Sequence, residues 1–127
     1  MKKGDIIEFG KYPQGADGSV LPIEWIVLDV NEKEALLISR YVLDCKPYNY
    51  DNGNFINWQY CFLRIWLNNN FIRSAFSEEE AKKIKVSELK NEDNHKYGTI
   101  GGSNTKDRIF CLSINEAEHY FESDNDR

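Results

Sequence analysis

Histidine is scarce in this 127-residue sequence: only His95 and His119 occur. A Ser/His/Asp or Cys/His centre needs a base beside its nucleophile. His95 sits in a polar loop with Asp93 and Asn94, and His119 sits beside Tyr120 on a polar helix edge. Neither has a nucleophile nearby in sequence. Cysteine is also sparse and odd in number: Cys45, Cys61 and Cys111, with no CxxC or HxxxH spacing. The absence of such spacing argues against a zinc site, and no metal or cofactor is expected. Cys61 (YCFL) and Cys111 (FCLS) read as buried, reduced thiols, and a Cys45–Cys61 disulfide would need an oxidising compartment.

Long apolar runs are missing too. Nothing approaches the roughly 18 uncharged apolar residues that span a bilayer. The opening MKKGDIIEFG has no apolar core of a signal peptide, so the cytoplasm is the expected location. No long basic run occurs, and the densest group (Lys82, Lys83, Lys85) adjoins glutamates. With a net charge of −5 and a pI near 5.1, the chain lacks the concentrated cations of a nucleic-acid binder.

Aromatic residues are plentiful: three Trp, seven Tyr and seven Phe. This composition suits one folded domain over residues 1–127, with a polar tail from about Glu122. Asp5–Phe9 reads as a short strand ending at Gly10, and Lys11–Gly18 as turn chemistry. PIEWIVLDV (Pro22–Val30) is apolar on both faces, as in a central strand. Asn31–Glu34 reverses the chain and Ala35–Arg40 returns antiparallel. Tyr41–Ile56 and Asn91–Lys106 are the two long loops.

Asn57 is placed to cap a helix from Trp58 to about Asn69, with Trp58, Cys61, Phe62, Ile65 and Trp66 on its apolar stripe. Asn68-Asn69-Asn70 is expected to end it, because Asn tolerates left-handed backbone at a helix C-terminus. Phe71 and Phe76 flank the connector as core anchors. Ser77 with Glu80 forms a capping box opening a second helix to about Lys85, and Ser113 with Glu116 opens a third over Ile114–Phe121. Val86–Leu89 and Arg108–Leu112 read as further strands. The fold class is therefore α+β: a small antiparallel sheet, two to three helices and two long loops.

Few residues carry candidate chemistry. Glu24, beside Trp25 in an apolar strand, would have a raised pKa if buried. Arg64 lies within the most apolar helix. It either snorkels to water, contacts a ligand, or pairs with a carboxylate such as Asp5, Glu24 or Asp107. Asn91–Asn94 lacks the ligand spacing of a calcium loop. Gly98–Ser103 lacks the GK[ST] of a phosphate loop.

Several blocks occur in a fixed order: GDIIEFGKYPQ, PIEWIVLDV, ALLISRYVLDCKPYN, W-x-x-C-x-LR-x-WLNNNF-x-x-AFSEEE, YGTIGG and DRIFCLSINEAEHYF. From Gly4 to Phe121 this order resembles an uncharacterised bacterial family, a domain of unknown function found in gut bacteria and their phages. The resemblance implies a C-type-lectin-like or formylglycine-generating-enzyme-like fold, with long loops carrying the binding surface. Fuller members continue into a second half rich in Trp, Arg and Gly. The present sequence stops at Arg127, as expected of a truncated relative, a fragment, or a chain that fills an open edge by oligomerising. The cysteines of formylglycine-generating chemistry belong to that later half, so that activity does not carry over.

The expected function is a non-catalytic binding or protein-interaction module for a protein or carbohydrate ligand, one form being a phage- or mobile-element-encoded inhibitor. Tyr48, Tyr50, Trp58, Arg64 and Tyr97 are the candidate binding residues. Two alternatives stand beside it. One is a small hydrolase or oxidase with a cleft around Glu24, Arg64 and His95. The other is a half-domain that associates with its own copy as a homo-oligomer.

Overall fold

A computed structural model describes residues 1–51, 56–94 and 96–126. It is an α+β structure with a three-stranded and a two-stranded antiparallel sheet and short helices. The chain divides into two compact units, Met1–Cys45 with Arg73–Lys83, and Lys46–Ile72 with Ile84–Arg127.

The first unit is built on β1 (Ile6–Pro13), β2 (Val20–Val30) and β3 (Ala35–Ser39), with β2 central. Ile23, Trp25 and Val27 alternate onto the buried face, as the strand period requires. The alternation then breaks. Val27 pairs with Leu37 but Asp29 pairs with Leu36, so Leu28 is an extra residue and is also buried.

β1 runs past the expected stop at Gly10, because Gly10 forms a bulge rather than a terminus. The register shifts between Glu8 and Lys11, and Gly10 takes φ +76°. Its missing side chain matters: a Cβ would lie 2.5 Å from Phe76 Cε1 and 2.8 Å from the Ala75 carbonyl. The Phe76 ring packs tilted against Phe9 at 5.1 Å and stacks on Trp25 at 6.4 Å between ring centroids, and Trp25 Nε1 donates to the Phe9 carbonyl at 2.7 Å.

The Ser77–Glu80 box forms as expected at the start of α3 (Glu78–Lys83). Glu80 N–H donates to Ser77 Oγ at 3.2 Å and Ser77 N–H donates to Glu80 Oε1 at 2.9 Å. The second oxygen of Glu80 accepts from Gly10 N–H at 3.1 Å, so the box also fixes the bulge. These bonds, Ser77's first, hold the Glu80 carboxyl below its ordinary 4.5.

The second unit departs further from the expected helix. Trp58–Tyr60 is a single 3-10 turn and Cys61 is extended. Asn57 makes no cap bond; Cys61 instead caps α1 (Phe62–Trp66), its sulfur accepting from Arg64 N–H at 3.4 Å. The three asparagines do not end the helix. Leu67–Phe71 widens into a π turn that runs on into α2 (Ile72–Ala75). A π turn loosens the carbonyls of the preceding turn. Here Asn68 Nδ2 donates to the Arg64 carbonyl at 3.0 Å and Asn69 Nδ2 to the Ile65 carbonyl at 2.8 Å. The last strands are β4 (Ser87–Leu89) and β5 (Thr105–Asp107), and α4 is Ile114–Tyr120. The expected strand Arg108–Leu112 is absent from the pairing; Thr105–Asp107 pairs instead. Ser113 Oγ accepts from Glu116 N–H at 3.1 Å and caps α4.

Candidate functional site

Among the described residues, a dense polar arrangement surrounds Asp107 in the second unit. Its side chain is almost sealed from solvent, with a relative exposure of 1%. A buried carboxylate is costly unless every oxygen is met. Arg64 Nε donates to Oδ1 at 2.7 Å, while Trp58 Nε1 at 2.8 Å and Thr105 Oγ1 at 2.7 Å donate to Oδ2. Arg64 Nη1 also donates to the Gln59 carbonyl at 2.9 Å, and a quarter of its side chain (25%) stays exposed. The 3-10 turn, α1 and β5 are thereby tied to one charge. Of the three carboxylates considered for Arg64, Asp107 is the partner. Glu24 pairs with Arg40 at 2.9 Å, and Asp5 accepts from the Lys2 backbone N–H.

Asn68 forms a second bracket that its helix-ending role did not suggest. Its Oδ1 accepts from Arg108 N–H at 2.8 Å and Ile109 N–H at 3.1 Å. Its Nδ2 donates to the Ile109 carbonyl at 2.9 Å in addition to the Arg64 carbonyl. A strand-like pairing is thus satisfied by a side chain, which explains why residues after β5 need no strand partner.

Tyr48 and Tyr50 of the first long loop rest on the start of α1. The Tyr48 carbonyl accepts from Leu63 N–H at 3.0 Å, and although the residue is 47% exposed its hydroxyl is partly desolvated near the fully buried Cys61. Burial, then Cys61, pushes the Tyr48 pKa up to about 12. Asn49 Oδ1 accepts from Phe62 N–H at 3.3 Å, and Tyr50 sets its ring edge-on to Phe62 at 4.5 Å. Tyr50 nevertheless remains 71% exposed, and Ile65 on α1 is 52% exposed instead of lying in the apolar stripe. Tyr60 is exposed as well. Trp58 is half-buried, with its indole N–H held by Asp107.

Cys111 is open to solvent as a residue, but burial around its sulfur, with Cys61 adding, pushes its thiol pKa up. All three cysteines are free, and Cys45 and Cys111 are exposed where Cys111 was expected inside.

In the second long loop, where calcium-loop spacing is lacking, the side-chain oxygens bond to the loop backbone and to α4. Asp93 accepts from Gly101 N–H at 3.0 Å, Asn94 from Lys96 and Tyr97 N–H, and Glu92 from Asn115 Nδ2 at 3.0 Å. Tyr97 is 70% exposed with Lys96 Nζ 6.0 Å from its ring centroid. His95 lies outside the described residues. No group of three or more His, Cys, Asp and Glu able to hold a metal occurs among the described residues. No helix among them is long and apolar enough to cross a membrane.

A family model for a domain of unknown function, DUF6273, matches residues 32–126, and the chain belongs to that family. β1 and β2 precede the matched stretch, although β2 is the strand on which β3 pairs. No curated protein matches, and no solved structure matches.

Proposed function

We propose that this family member is a non-catalytic interaction module that binds a protein partner through the tyrosine-rich surface of its second unit. The observation that carries the reading is the support beneath exposed aromatics. Tyr50 is mostly solvent-exposed, yet its ring is seated on Phe62 and its neighbour Tyr48 is fixed through its carbonyl by Leu63 N–H. Rigid aromatics lose little conformational freedom on binding and dominate interface energetics. Exposed Tyr60 and Ile65 extend the same helix start with apolar surface, which favours protein over sugar. Trp58 and Arg64 supply the frame through Asp107, and Tyr97 presents a second aromatic from the Asn91–Lys106 loop.

Such a module uses its long loops as lectin-like domains do, and a small cytoplasmic inhibitor encoded by a phage or mobile element is one form of it. The test is affinity capture from host lysate beside a glycan array, each run with wild type and with Tyr50→Ser and Tyr97→Ser. A protein retained by wild type and lost with these variants supports the reading. A glycan hit replaces the protein partner with a carbohydrate. Retention indifferent to both tyrosines removes the surface from the account.

A further inference from the structure

We propose that β3 is an association edge, on which a second copy of this chain adds its own β3 antiparallel across a two-fold axis. The backbone geometry identifies the open side. Arg40 N–H donates to the Glu24 carbonyl at 2.9 Å, so Arg40, and Ile38 two residues earlier, turn their polar groups toward β2. At the other end Asn31 N–H donates to the Glu34 carbonyl at 2.9 Å, which makes Glu34 inward-facing. Ala35, Leu37 and Ser39 therefore direct their N–H and C=O groups away from the sheet. Among the described residues, no backbone hydrogen bond meets them on that side.

The opposite edge of the sheet is protected. β1 is interrupted by the Gly10 bulge, and the Gly10 N–H is held by Glu80. Bulges and occupied donors are the usual means of blunting an edge. β3 has neither. The extra residue opposite it, Leu28, belongs to β2, so β3 itself is regular; it also lacks proline and internal charge.

The sequence of this edge is complementary to itself. Centring the two-fold on Leu37 places Ala35 opposite Ser39 of the second copy and Leu36 opposite its Ile38. The same register sets Glu34 opposite Arg40 of the second copy at both ends, bringing a second carboxylate to a guanidinium that already meets Glu24 at 2.9 Å. Opposite charges and apolar pairs directly across an antiparallel ladder are favourable, and like charges there are not. A one-residue slip loses both the charge match and the alternation of faces. Ile6, Ile26 and Ile38 already form a cross-strand row on the face away from Trp25 and Val27, and Leu36 of the second copy continues it. The occupant this edge fits is thus another copy of the same strand.

Sedimentation velocity at rising concentration, with residue-resolved amide exchange, tests this. Dimerisation with new protection at Leu37 and Ser39 is expected, while Ile38 stays protected throughout. Glu34→Arg sets like charges across both ends and is expected to weaken the dimer about tenfold or more, while Glu34→Asp keeps the charge and is expected to retain it. A monomer at every concentration overturns the proposal. So does a dimer in which Leu37 and Ser39 gain no protection, or one that Glu34→Arg leaves unchanged. Tyr50→Ser is expected to leave self-association intact, which separates this edge from the partner surface.

Discussion

Arg64 Nε and Asp107 Oδ1 meet at 2.7 Å across 43 residues of sequence, and Trp58 and Thr105 complete the carboxylate. Removing the anion strands three donors. Asp107→Ala is expected to destabilise the protein by about 3 kcal/mol, toward the low end for a broken buried pair because Arg64 retains access to water. Asp107→Asn preserves the shape but turns an amide toward donors, and is also expected to destabilise. Urea unfolding followed by tryptophan fluorescence measures both.

Asn68 gives a second prediction. Asn68→Asp keeps the acceptor for Arg108 and Ile109 N–H but sets a carboxylate against the Arg64 and Ile109 carbonyls. A loss of about 2 kcal/mol is expected, from two broken bonds and the repulsion replacing them. Amide exchange should rise first at Arg108 and Ile109.

Gly10→Ala is expected to cost about 3 kcal/mol, combining left-handed backbone strain with an overpacked Phe76. The clash lies against the Phe76 ring and the Ala75 carbonyl, so a smaller side chain at position 76 recovers only part of it. Thermal unfolding of the single and double variants separates the two terms.

How much of this was legible in the sequence follows the range of each interaction. The β2–β3 hairpin and the Ser77–Glu80 box are written in neighbouring residues and form as read. Arg64 announced itself as a cation in an apolar helix, but choosing among Asp5, Glu24 and Asp107 needed the chain path. The asparagines misled because their side chains supply donors to the helix instead of a left-handed stop. Gly10 likewise reads as a strand end until Phe76 and Glu80 arrive from the other side of the chain. Thr105–Asp107 is too short and polar for a strand pattern, and pairs only because Ser87–Leu89 lies beside it.

Tyr48 carries one part of the alkaline pH dependence, and Tyr12, pushed up to about 12 by burial and then Asp44, carries another. The Tyr48 pKa is pushed up to about 12 from 10.0 by burial and Cys61. The folded state therefore holds this proton more tightly than the unfolded chain. That stabilisation is fully present below pH 10 and is lost as pH rises toward 12. Tyr48→Phe is expected to remove this part of the alkaline destabilisation, visible as a flatter unfolding profile between those limits.

The binding surface is tested most directly by the dissociation constant of a captured, purified partner for wild type, Tyr50→Ser and Tyr97→Ser. Their fold is checked beforehand by amide spectra. Binding about tenfold weaker or more is expected for Tyr50→Ser, equivalent to about 1.4 kcal/mol. Unchanged affinity in both folded variants would contradict this expectation.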